Sequence, residues 1–150
     1  MEKSFRYTQT QQGIKMGLDQ NAYAQNKNGE DEHLADWRKH NRLQGWMEDL
    51  WNEKGRPNAE TENNPMGDFN CVPLELDSDD IDRLESDIND FNLPETNGFF
   101  FGSDSYFWED ENGEPMPEND YYYKELDLQF IDDARNALKK GGKVFYSCWY

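Results

Sequence analysis

Twenty-two aromatic side chains in a chain of 150 residues (5 Trp, 8 Tyr and 9 Phe) restrict the fold more than any other feature. Each ring that leaves water removes a large apolar area, so a chain carrying this many is expected to collapse around them. The rest of the composition argues the other way: 31% of residues are charged, the formal net charge is -17 and the mean hydropathy is -1.17. Low hydropathy with high net charge is the mark of chains that stay disordered. One arrangement satisfies both, a small folded domain with a core of rings and with its acids in solvated loops and faces. The length suits one such domain and leaves no room for a second core.

The charge is unevenly placed. Residues 1–56 carry nine Lys/Arg and nine Asp/Glu, whereas residues 57–123 carry nineteen acids against Arg83 alone. Such a field repels nucleic acid, whose binding is dominated by Lys and Arg neutralising phosphates, and it equally disfavours an anionic membrane surface. It would attract a basic protein surface or cations. No apolar run approaches the roughly 20 residues of a membrane helix, and MEKSFRYTQTQQ lacks the apolar stretch of a signal peptide. A cytoplasmic location is therefore expected. Cys71 and Cys148 would then be reduced. They form neither a CxxC motif nor a zinc quartet and are read as small core residues.

Residues 1–15 are Gln/Thr-rich without periodicity and read as a flexible extension to a single domain over 16–150. A short strand is expected within Gly17–Asn26. Beyond it, Leu34, Trp37, Leu43, Trp46, Met47, Leu50 and Trp51 recur at helical spacing. Asp31 is placed as a cap, and Gly55 and Pro57 follow Lys54. The pattern predicts one helix of about six turns over 31–54. Val72, Leu74 and Leu76 alternate as in a strand, which Pro73 confines to an edge or a bulge. Asp77 or Ser78 caps a second helix with Ile81, Leu84, Ile88 and Phe91 on one face. Phe99–Phe101 reads as a short buried strand and 103–120 as a long acidic loop. A third helix, from about Tyr121 to Lys140, stops at Gly141-Gly142. The closing KVFYSCWY is apolar on both faces, as a central strand is. The fold class is α+β, a three- or four-stranded sheet packed with about three helices.

Four segments resemble a family of small proteins of bacteriophages and prophages. Met16-Gly17-Leu18-Asp19-Gln20-Asn21-Ala22-Tyr23 is similar to that family's MGLDMYLY-like opening. Asp36 to Met47 is similar to its YWRKANAIHxWF-like helix. Gly98–Ser103 matches a GFFFGS element, and Phe145-Tyr146-Ser147-Cys148-Trp149 resembles its FYYSSW-like final strand. The resemblance covers most of 16–150 and implies an accessory role in infection, host takeover or escape from host immunity. It implies no particular chemistry, and Gln44 stands where the family pattern has His.

Several constellations could carry chemistry. On the expected helix, His33, Asp36 and His40 fall at i, i+3 and i+7. One such stripe could hold a divalent ion and an activated water for hydrolysis. No further ligand accompanies them, so a solvated polar face is the preferred reading and no metal is assigned. WEDENGEPMPEN fails as a calcium loop, because aligning Gly113 puts Trp108 first and Asn119 last. GFFFG and KKGGK lack the strand–glycine–helix order of a phosphate cradle. No nucleophile–base pair is suggested and no cofactor is implied.

Two surfaces remain. Asp79, Asp80, Asp82, Glu85, Asp87 and Asp90 are expected to ring the exposed sides of the second helix. With Glu109, Asp110 and Glu111 they could imitate the phosphates of DNA toward a basic groove. The alternative is solubility alone. Trp37, Arg38 and Lys39 with Phe100, Tyr106, Trp108, Tyr121, Tyr122 and Tyr123 could instead stack a nucleobase and hold its phosphate. Plain packing beneath a loop is the alternative there. The leading expectation is a non-enzymatic phage accessory protein that neutralises a host protein through the acidic, aromatic middle region. The second is a binder that sequesters a small nucleotide. The sequence leaves homo-oligomerisation open.

Overall fold

The computed structural model describes residues 17–59, 67–96 and 121–150. The element order is β1 (Asp19–Gln25), β2 (Asp31–Arg38), α1 (Asn41–Glu53), β3 (Leu74–Leu76), α2 (Ser78–Asn89), α3 (Lys124–Lys139) and β4 (Lys143–Trp149). The strands form one antiparallel sheet in the order β2-β1-β4-β3. The fold is the expected α+β class, with four strands and three helices among the described residues. The Phe99–Phe101 strand, the 103–120 loop and the 1–15 extension lie outside the described residues.

One face of the sheet is the core face. It presents Ala22, Ala35, Trp37, Leu74, Leu76, Val144, Tyr146 and Cys148, all buried. The helices cover it with Leu43, Trp46, Met47, Leu50 and Trp51 from α1, Ile81, Leu84 and Ile88 from α2, and Phe130, Ile131 and Ala134 from α3. Rings meet there as the aromatic content required: Trp37 is edge-on to Phe130 at 5.4 Å, and Trp51 stacks on Phe69 at 5.0 Å. β4 is central, and β3 is an edge strand directly after Pro73, as that proline demanded.

The single helix expected over 31–54 is in fact β2 followed by α1. A tight turn through Asn26–Gly29 makes β1 and β2 a hairpin. Asn26 Oδ1 accepts from the N–H groups of Asn28 (2.9 Å) and Glu30 (3.0 Å), and Gly29 supplies a φ of 82°. The misreading has a specific cause. Ala22 pairs with Ala35 but Tyr23 pairs with His33, so Leu34 is an extra residue, a β-bulge. Leu34 packs against the core on the same side as Ala35. The bulge sets Leu34 and Trp37 three apart on one face, which is the spacing of a helix.

β2 passes into α1 through Lys39, at φ 59°. His40 is the N-cap, without a capping hydrogen bond from its own side chain. The Gln20 side chain serves the backbone there: its Oε1 accepts from His40 N–H at 2.8 Å, and its Nε2 donates to the His40 carbonyl at 2.9 Å. The third helix starts at Lys124, after a turn, with Tyr121 buried ahead of it.

Candidate functional site

The chemistry-bearing groups form a buried network and an acidic helix. Asp127, one turn into α3, is 1% exposed and collects three side chains. Trp37 Nε1 donates to Oδ1 at 2.7 Å, and Tyr121 OH donates to Oδ2 at 2.5 Å. His40 Nε2 lies 2.8 Å from Oδ2. An ionised carboxylate only accepts, which makes Nε2 the N–H of this imidazole. The network continues across the core: Gln20 Nε2 donates to Tyr146 OH (2.9 Å), and Tyr146 OH to Gln44 Oε1 (2.6 Å). Gln44 Nε2 in turn points at Cys148 Sγ (3.2 Å). Buried polar groups need partners, and α1, α3, β1, β2 and β4 all contribute one here. Burial pushes the Tyr146 hydroxyl well up and the Cys148 thiol up to about 12. At neutral pH both are held as donors.

This geometry disposes of the metal stripe. His33 and Asp36 lie on β2, paired with each other at 3.0 Å in solvent, while His40 is buried against Asp127. Among the described residues no group of three or more His, Cys, Asp or Glu is arranged to hold a metal ion. The cysteine reading holds for Cys148 only. Cys71 is exposed, in a turn with φ 63°, where its N–H donates to the Cys148 carbonyl at 2.8 Å. That turn faces its side chain to solvent.

Of the aromatic-pocket residues, Trp37, Arg38, Tyr121 and Tyr123 do come together, and Lys39 adjoins them at the strand–helix junction. Tyr122 is half-exposed and edge-on to Tyr123. Phe100, Tyr106 and Trp108 lie outside the described residues. Trp37 and Tyr121 turn their polar atoms inward to Asp127, and Tyr123 stacks on His40 at 4.9 Å. A shallow depression of about 450 Å³ beside them is lined by Asp19, Asn21, Asp36 and Arg38 and by Gln20, Trp37 and Tyr123. It sets two carboxylates against one guanidinium, the wrong balance for a phosphate.

The acids of α2 divide. Asp77 is the N-cap, accepting from Asp80 N–H at 2.9 Å, while Asp80 Oδ2 accepts from Asp77 N–H at 3.0 Å, a capping box. The N–H of Asp80 holds the Asp77 carboxyl below its usual range. Asp80 is thus buried, not on the exposed ring, and Lys54 Nζ reaches it at 2.6 Å. Asp87 is also engaged, accepting from Trp46 Nε1 at 2.8 Å. Asp82 and Glu85 share Arg135 of α3 at 2.8 and 2.9 Å, and that guanidinium lowers Glu85. Asp79 and Asp90 are exposed with Asp82. Glu109, Asp110 and Glu111 lie outside the described residues.

Sequence reasoning missed Asp127 and Gln20. Asp127 carried a signal, an acid at a helix position between core residues Tyr121 and Phe130. No helix among the described residues is long and apolar enough to cross a membrane. Comparison with protein-family models, with curated proteins and with solved structures finds no match to this chain.

Proposed function

We propose that this protein acts by binding a partner with a basic surface through its acidic middle region, in the accessory phage role that the sequence resemblance implies. The supporting observation is the placing of nineteen acids against one basic residue in 57–123, with Asp79, Asp82 and Asp90 of α2 turned to solvent. Complementary charge steers such an encounter and gives it a strong salt dependence. The test is capture of host-lysate protein by the tagged chain and by a variant neutralised at 79, 82, 90, 109, 110 and 111. The variant should lose the captured protein, and the wild type should lose it as salt is raised. Equal capture by the two chains would remove the reading.

The nucleotide-binding reading rests on the meeting of Trp37, Arg38 and Tyr123 at one depression. It is the weaker reading, since Asp19 lies 3.9 Å from Arg38 Nε and Asp36 lines the same hollow.

A further inference from the structure

We propose that the open face of the sheet is a platform for a neutral oligosaccharide, whose sugar rings pack against Tyr23, Phe145 and Trp149. The proposal is separate from the partner-binding reading and uses none of its residues.

β4 is apolar on both sides, and the helices account for one side only. Val144, Tyr146 and Cys148 are buried beneath them, whereas Phe145 is half-buried and Trp149 is 61% exposed on the opposite face. The strand registers build that face row by row. Tyr23 of β1 pairs with Phe145 of β4, with His33 and Glu75 at the two ends of the same row. The next row holds Asn21 between Asp36 and Ser147, and the row beyond sets Asp19 between Arg38 and Trp149. The Tyr23 and Phe145 rings lie near-parallel, 5.3 Å apart, so each fixes the other's orientation while both stay in reach of a ligand. Trp149 is four residues from Phe145, about 13 Å along the strand at about 3.3 Å per residue. Only an elongated ligand touches both.

Polar groups without partners lie between and beside the rings. Among the described residues, the side chains of Asn21, Tyr23, Ser147, Trp149 and Glu75 hold no hydrogen bond or ion pair. They offer an amide, two hydroxyls, an indole N–H and a carboxylate, a mixture of donors and acceptors. Beyond Phe145 the face opens into a hollow of about 450 Å³ walled by Pro57 and Pro73, with Asn58 and Glu75 also in its lining. A pyranose carries C–H groups on the faces of its ring and hydroxyls around its rim. The C–H groups pack on electron-rich aromatic faces, and each hydroxyl both donates and accepts. The row of Asn21 and Ser147 thus meets the rims of sugars held by the rings on either side, and the hollow takes a terminal unit.

Charge selects a neutral occupant. Arg38 meets Asp19 at 3.9 Å and His33 meets Asp36 at 3.0 Å within the face. Asp31 and Glu75 then stand against Lys143, close to balance. Single-stranded nucleic acid also stacks on exposed rings, but along a positively charged groove. This face has no such groove, and the net charge of -17 repels phosphates. A second sheet packed on this one needs apolar side chains that interdigitate across the whole interface, and the row of Asp36, Asn21 and Ser147 interrupts them.

The experiment is calorimetric titration of the full chain with neutral hexasaccharides of β-linked glucose, α-linked glucose and N-acetylglucosamine. At least one should bind, and raising salt from about 0.05 to 0.5 M should leave its affinity unchanged, unlike a charge-steered protein complex. Trp149→Ala and Tyr23→Ala should each weaken it about tenfold or more, and Trp149→Phe less than Trp149→Ala. Circular dichroism checks each fold; Trp149 is exposed, so its loss spares the core. No binding of any of the three at about 1 mM, or binding indifferent to both alanine variants, overturns the proposal. A dimer that Trp149→Ala dissociates, with no sugar bound, overturns it too and assigns the face to a second copy.

Discussion

Asp127 is the residue on which most of the interior turns. Its carboxyl joins Trp37 of β2, His40 at the start of α1 and Tyr121 ahead of α3. Trp37 and His40 lie 90 and 87 positions from Asp127, so the network can form only when β2 and the start of α1 are brought against α3. Removing such a hub leaves three buried donors without an acceptor, and each costs its full desolvation. Asp127→Ala is expected to lower unfolding free energy by about 3–5 kcal/mol, whereas Asp79→Ala should stay within about 0.5 kcal/mol as an exposed site. Urea unfolding of the two variants beside the wild type checks the contrast; a loss at Asp127 no larger than at Asp79 would refute the role given to it.

Among the elements, α2 follows most directly from local sequence. Asp77 and Asp80 close a capping box, and Ile81, Leu84 and Ile88 give one buried face. The Asp77 carboxyl is held below its usual range, chiefly by the Asp80 N–H. The sign follows from linkage: a depressed folded-state value adds stability above the unfolded value, near 3.9 for Asp, and loses it as pH falls through the folded value. Asp77→Ala should therefore cost about 1 kcal/mol at neutral pH, and the gap to wild type should narrow below about pH 4. Thermal melts at pH 7 and pH 3 test this, and a pH-independent gap would remove the carboxylate's part. β2 shows the opposite case. Its bulge broke the alternation by which a strand is recognised, and only the cross-strand register to β1 reveals it. The third helix was legible from its apolar positions, but its first turn was not, because the turn before Lys124 is set by the burial of Tyr121.

At the scale of the molecule, the net charge of -17 works against compactness. Exposed carboxylates repel one another and salt screens them beyond roughly 10 Å at 0.1 M. The thermal midpoint is expected to rise as sodium chloride goes from about 0.01 to 0.1 M. A midpoint that falls would mean that local pairs such as Arg135 with Asp82 and Glu85 outweigh the general repulsion.

The sequence by itself determined the α+β class, the edge placing of the strand after Pro73, the central final strand and the start of α2, though not its end, since α2 stops at Asn89 and Phe91, expected on its buried face, lies beyond it at φ 56°. Each follows from interactions between residues close in the chain or from one residue's covalent restriction. The tertiary structure decided the rest. It turned the stretch before α1 into β2, because β1 offers its backbone a partner and the bulge absorbs the extra apolar residue. It took Asp80 and Asp87 out of the acidic face by giving them Lys54 and Trp46. It drew His40 away from His33 and Asp36 and set it against Asp127, a residue 87 positions on. Such pairings rest on distance in space, which spacing along the chain does not contain.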